Sequence, residues 1–170
     1  SDMKILIVGA GIGGSALALA LEQQGLDYEL LEQAEAFAEV GAGIQLSPNG
    51  VHVLERLGLK DKLAAFCTAP EAHRYSVWNT GETILTTPLM PKVLNAYGYA
   101  YYHAHRADLI DALTTSLNPA RLHLGTHVRA VGQDAQGVWV ECDDGTRHVG
   151  DVLVGADGRD SWVRGRAGIA

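Results

Sequence analysis

Charge of either sign is scarce in this chain. Asp, Glu, Lys and Arg make up 19% of its 170 residues, and the balance is acidic, with 13 basic against 20 acidic side chains and a net charge of −7. So few basic residues argue against a nucleic-acid backbone or an anionic membrane as partner. Any anion the protein holds must therefore be gripped by local groups. Cysteine is scarcer still. Cys67 and Cys142 lack metal-ligand spacing and are too few for a disulfide framework, which fits a reducing, cytoplasmic setting. There is also no long apolar run. Ile5 to Leu21 carries no charge, but Gly9, Gly11, Gly13 and Gly14 interrupt it, and a spanning helix needs about 20 predominantly apolar residues. The opening "SDMK" lacks the basic start of an export signal. Ser1 and Asp2 read as a tag remnant ahead of a native Met3.

What is present is ordinary globular material. Hydrophobic residues reach 47%, and the length suits one domain with a sizeable core. "KILIV" (4–8) reads as a short buried strand ended by glycine. A helix is expected over 12–24, closed by Gly25, and a second strand over 27–33 with Glu32 at its carboxyl end. Together they match a βαβ crossover in size. The "GAGI" that follows reads as a glycine-bearing loop. Ser47-Pro48 signals an N-cap and N1 pair for a helix from 48 to 57, with a shorter helix over 60–66. Residues 73–87 read as a hairpin turning near Asn79-Thr80-Gly81. A strand over roughly 99–104 leads to a helix over 106–117. Strands over 126–133, 137–142 and 146–149 form an antiparallel meander with one wet face, and "DVLVGADG" (151–158) returns to a buried strand.

The sharpest signal is Gly9-Ala10-Gly11-Ile12-Gly13-Gly14, a G-x-G-x-x-G directly after a strand and opening a helix. Gly9 permits the tight turn, Gly11 lets backbone amides approach a pyrophosphate, and Gly14 lets helix and sheet pack closely. The helix N-terminus adds partial positive charge. Glu32, about 20 residues on, is placed to accept hydrogen bonds from a ribose hydroxyl. These features point to dinucleotide binding, but the insertion after the second strand departs from the short β–α repeats of an NAD-type half.

Four stretches, in order, resemble the amino-terminal part of FAD-dependent aromatic hydroxylases: "VGAGIGG", "LLEQA", "GAGIQLSPNGVHVLERLGL", and "HRADLIDAL" followed by "DVLVGADGRDSWVR". Within these class A flavoprotein monooxygenases, the chain is most similar to the salicylate, hydroxybenzoate and hydroxynicotinate types. The resemblance implies an α/β, Rossmann-like FAD-binding domain of the glutathione-reductase type, with a parallel sheet plus an antiparallel β-meander. Gly9, Gly11, Gly13 and Gly14 would wrap the FAD pyrophosphate, Glu32 the adenosine ribose, and Gln33 the adenosine portion. Gly43, Ile44 and Gln45 would lie near the ribityl chain and flavin ring. Arg106 would reach the pyrophosphate, Val128 would touch adenine through its backbone, and Asp157-Gly158 would serve both FAD and reduced nicotinamide.

The implied activity is hydroxylation of a small aromatic compound with O2 and NADH or NADPH. No catalytic residue can be placed. Two other readings stay open at this point, an NAD-dependent dehydrogenase and a non-catalytic dinucleotide module or inactive truncation. Residues 4–170 are expected to be an incomplete FAD-binding domain, because the family's substrate-binding sheet and Gly-Asp fingerprint are absent. A homodimer is one assembly the sequence allows. The seven histidines show no metal-like grouping and no metal is expected. Trp78, Trp139 and Trp162 read as packing residues, and Ser15 and Ser161 have no Ser-His-Asp context.

Overall fold

Lys4–Val8 forms β1. Its neighbours Leu6 and Ile7 leave the strand on opposite faces, yet both are fully buried. A strand covered on both faces belongs inside a parallel sheet. In the computed structural model, which describes residues 3–37, 43–66, 72–76, 83–88 and 102–156, β1 has that position. The chain divides into two compact units, Ser1–Glu39 with Ile110–Ala170, and Val40–Leu109.

In the first unit, β1 leads to α1 (Ile12–Gln23) and then β2 (Asp27–Leu31). A 3-10 turn at Pro119–Arg121 opens β7 (Leu122–His123). The meander follows as β8 (Val128–Asp134), β9 (Gly137–Cys142) and β10 (Arg147–Gly150), then β11 (Val152–Gly155). The parallel sheet has the order β11-β1-β2-β7, and the meander is β10-β9-β8. Leu6, Val8 and Leu31 share one sheet face and form a core with Val140 and Cys142 of the meander. The alternate residues Ile7, Tyr28 and Leu30 are equally buried. On that side the Tyr28 hydroxyl donates to Glu22 Oε1 of α1 at 2.9 Å. Burial and the Glu22 carboxylate together push the Tyr28 phenol well above its usual range. One face of the sheet is thus closed by a helix and the other by the meander.

The second unit holds β3 (Gly43–Leu46), α2 (Pro48–Arg56), α3 (Lys60–Phe66), β4 (Ala72–Ser76), β5 (Thr83–Pro88) and β6 (Tyr102–His105), followed by the start of α4 (Arg106–Thr114). As expected, Ser47 caps α2, its hydroxyl accepting the Gly50 N–H at 3.2 Å. Val51 and Leu54 of α2, Leu59 after it and Leu63 of α3 are buried. β4 and β5 pair antiparallel, while Asn79, Thr80 and Gly81 lie outside the described residues.

The structure departs from the sequence reading at several points. Gly43–Leu46 is a strand paired with β6, not a loop, because its carbonyls and amides find a partner that lies more than fifty residues away. The second strand ends at Leu31 rather than 33, since the Glu32 carboxylate folds back onto backbone amides. The last helix stops at Thr114 rather than 117. The Thr114 and Thr115 hydroxyls bond back to the carbonyls of Ile110 and Asp111, and Leu117 N–H turns to Thr114 O, local bonds that compete with the helix. The two-residue β7 was not foreseen. Among the described residues no helix is long and apolar enough to cross a membrane.

Candidate cofactor site

The glycine turn sits where β1 ends. Gly9 has φ 106°, a left-handed conformation open to glycine but costly for other residues. Its N–H donates to Leu31 O at 2.8 Å, so the turn is anchored to β2. Gly14 is required for a different reason. A β-carbon there would fall on the Gly9 carbonyl oxygen and lie 3.2 Å from the Ala156 side chain. The helix therefore approaches the turn as closely as a bare α-carbon permits. Gly11 and Gly13 are the opposite case, since among the described residues a β-carbon on either would meet nothing within 4 Å. The turn has one packed side and one open side.

The open side carries donors. Gly11 is the N-cap of α1, no side chain caps the helix and no acid lies in its first turn. The first bond to a preceding carbonyl is Ser15 N–H to Gly11 O at 2.9 Å. The amides of Ile12, Gly13 and Gly14 come before it and have no place in the intrahelical ladder. With the helix dipole behind them, they form an anion-binding end.

Glu32 lies against the same turn. Its Oε1 accepts the Ala10 N–H at 2.9 Å and its Oε2 accepts the Ala34 N–H at 2.7 Å. Each oxygen keeps a further lone pair for a hydroxyl donor. The Glu32 backbone is fixed as well, its N–H donating to His123 O at 2.9 Å and its carbonyl accepting from Thr126 N–H at 2.9 Å. The fully buried Ser15 hydroxyl donates to Ala10 O at 3.1 Å and locks the turn from within. Ala156 N–H closes onto Val8 O at 2.7 Å. Sequence reasoning did not single out Ala10, Ser15 or Ala156. The first two lie within or beside the glycine motif, and Ala156 lies inside "GADG", so the signal was adjacent but unread.

The other expected site residues lie as follows. Gln33 is exposed on the bend after Glu32. Val128, half-buried, opens β8 opposite Cys142 and packs on the interlayer core, with a bulge immediately after it. Asp157 and Gly158 lie outside the described residues. In the second unit, Gly43, Ile44 and Gln45 pair through β3 with His105, Ala104 and His103 of β6. Arg106 opens α4, and its Nε is buried without a hydrogen-bond partner among the described residues. A buried guanidinium N–H without an acceptor is costly within the chain alone, and it suits an anionic partner. Within the first unit, the open glycine face, the donor-bearing helix end and Glu32 fit a dinucleotide with a pyrophosphate and a ribose.

A family model described as an FAD binding domain matches residues 2–170. The chain is 42% identical over 163 residues to the 3-amino-4-hydroxybenzoate 2-monooxygenase of Streptomyces cremeus, a match covering 96% of this chain and 41% of that protein. It is 33% identical over 161 residues to the 6-hydroxynicotinate 3-monooxygenase of Pseudomonas fluorescens, covering 95% and 42%. The crystal structure of Klebsiella pneumoniae HpxO complexed with FAD and uric acid superposes with a TM-score of 0.81 at 31% identity, covering 95% of this chain and 41% of that one. The chain thus spans about two fifths of the length of the relatives it matches.

Proposed function

The chain belongs to the FAD-binding-domain family, and from that premise we propose that it is the cofactor-holding part of a flavoprotein monooxygenase that hydroxylates a small aromatic acid. The observation that carries the reading is the glycine turn, whose open face and uncapped helix amides adjoin a fixed carboxylate in the same unit. In this reading the amides of Ile12, Gly13 and Gly14 hold the pyrophosphate of FAD, and Glu32 receives the adenosine ribose hydroxyls while still gripping Ala10. Gln33 and the backbone of Val128 face the adenosine portion. Arg106 supplies its free N–H to the pyrophosphate, a charge-assisted bond that a chain of net charge −7 needs locally. Gly43, Ile44 and Gln45 are assigned to the ribityl chain and flavin ring, and Asp157-Gly158, which lie outside the described residues, to FAD and reduced nicotinamide.

When bound, FAD would supply the redox chemistry of the hydroxylation, with NADH or NADPH and O2 as co-substrates. The residues of this chain bind and orient it. Hydroxybenzoate and hydroxynicotinate relatives share an electron-rich ring bearing a carboxylate, which supports that substrate class over larger ring systems. The family match also supports FAD over the dehydrogenase reading. The test is turnover by the full-length protein loaded with FAD. A hydroxylated aromatic acid should stimulate oxidation of reduced nicotinamide and acquire one labelled oxygen atom from 18O2. Label arriving only from water, or oxidation that no aromatic acid accelerates, would contradict the assignment.

A further inference from the structure

Three titratable side chains meet in the first unit, outside the cofactor site. Glu29 projects from β2, His123 from β7 and His148 from β10. His148 Nδ1 lies 3.2 Å from Glu29 Oε2, and His123 Nε2 lies 3.4 Å from Glu29 Oε1. One ligand atom from each residue falls within 4.8 Å of the other two. The two rings meet edge to face at 4.7 Å between centroids. Positions 29, 123 and 148 are too far apart for any spacing rule, so only the fold reveals the group.

Hydrogen bonding between the three residues accounts for part of the arrangement. His148 Nδ1 is in hydrogen-bonding geometry with Glu29 Oε2. His123 Nε2 is not, because it is buried and, among the described residues, has no hydrogen-bond partner despite the nearby carboxylate. A buried ring nitrogen aimed at a carboxylate and a second imidazole is the arrangement a metal ion completes. Zinc takes histidine nitrogen at about 2.0–2.1 Å and carboxylate oxygen at about 2.0–2.2 Å in tetrahedral geometry, which spaces ligand atoms roughly 3.4 Å apart. The two observed separations, each to a different oxygen of Glu29, are close to that edge, and with one ligand atom from each residue within 4.8 Å of the others, small side-chain rotations bring the three onto one ion. We propose that Glu29, His123 and His148 bind a borderline divalent transition ion such as Zn2+, joining the parallel sheet to the meander. Two imidazoles and one carboxylate suit zinc over magnesium or calcium, which prefer oxygen alone. The Lys4 ammonium, 3.4 Å from Glu29 Oε2 and one-third exposed, is the competing cation and must swing away.

The experiment is calorimetric titration of the FAD-loaded protein with ZnCl2, with MgCl2 as control. One Zn2+ per chain is expected, with no heat from Mg2+. His123→Gln and His148→Asn should each weaken binding by about 100-fold or more, and Lys4→Gln should tighten it a few-fold by removing the competing charge. Thermal unfolding provides a second readout, since Zn2+ should raise the midpoint of the wild type and leave both histidine variants unmoved. Unchanged flavin content and circular dichroism identify the variants as folded. Absence of zinc binding by the wild type, or equal affinity in folded His123→Gln and His148→Asn proteins, overturns the proposal.

Discussion

At the scale of single residues, the glycine motif contains two different requirements under one letter. Gly14 is demanded by the fold, because its missing side chain is where Gly9 O and Ala156 lie. Gly14→Ala is therefore expected to lose more than about 3 kcal/mol of stability, as backbone cannot yield the way a flexible side chain does. Chemical denaturation measures this directly, and a loss under about 1 kcal/mol would show that the turn is looser than described. Cys142 makes a second residue-level case. Burial raises its thiol pKa, Asp144, Asp143 and Glu141 add to the effect, and the Thr146 hydrogen bond only partly offsets it. A group raised in the folded state resists becoming thiolate as pH climbs, while the unfolded thiol ionises near pH 8.5. In a Cys67→Ser background at pH 8.5, iodoacetamide should label Cys142 at least about 100-fold more slowly in the native protein than in urea. Equal rates would place the thiol at the surface. The motif residues could be read from sequence because glycine spacing encodes backbone geometry directly. The chemistry of Cys142 could not, since it depends on strands brought together over long range.

Among the elements, the contact of β1 with the meander sets how the first unit is closed. Gly150 ends β10 over the sheet, and a β-carbon there would lie 2.9 Å from Leu6 Cγ and 3.0 Å from Lys4 O. Gly150→Val should cost about 1–3 kcal/mol by overpacking, and Leu6→Ala about 2–5 kcal/mol by leaving a cavity. Because the two positions touch, the double variant should cost less than the sum of the single ones, and strict additivity in denaturant melts would contradict the packing. Element identity was readable where periodicity ran long enough, as in β1, α1, α2 and the meander. It failed for β7, whose Leu122-His123 is too short to show alternation, and for β3, whose glycine masked a strand that pairs with distant β6. The end of α4 was misjudged because apolar spacing continues to Leu117, whereas threonine back-bonding stops the helix earlier.

For the whole molecule, the acidic balance and the local donors belong to one account. A chain of net charge −7 offers no general attraction to a dinucleotide, so affinity must come from a few placed groups. In the first unit the helix amides and Glu32 are placed to act as such groups. The glycine turn and Glu32 were legible in the sequence, because glycine at set intervals encodes the backbone geometry of such a turn. The spatial relations among Ala10, Ser15, Glu32 and Ala156 required the folded chain. Gly13 distinguishes binding from folding, since among the described residues a methyl there meets nothing within 4 Å and, on the proposed reading, would project toward the cofactor. Alanine in the first helical turn should also hold or raise stability, by up to about 1 kcal/mol. Equilibrium titration with FAD, wild type against Gly13→Ala, is therefore the most direct test. The account predicts at least about tenfold weaker binding, about 1.4 kcal/mol, with no fall in the thermal midpoint. Equal affinity for FAD in the two proteins would contradict it.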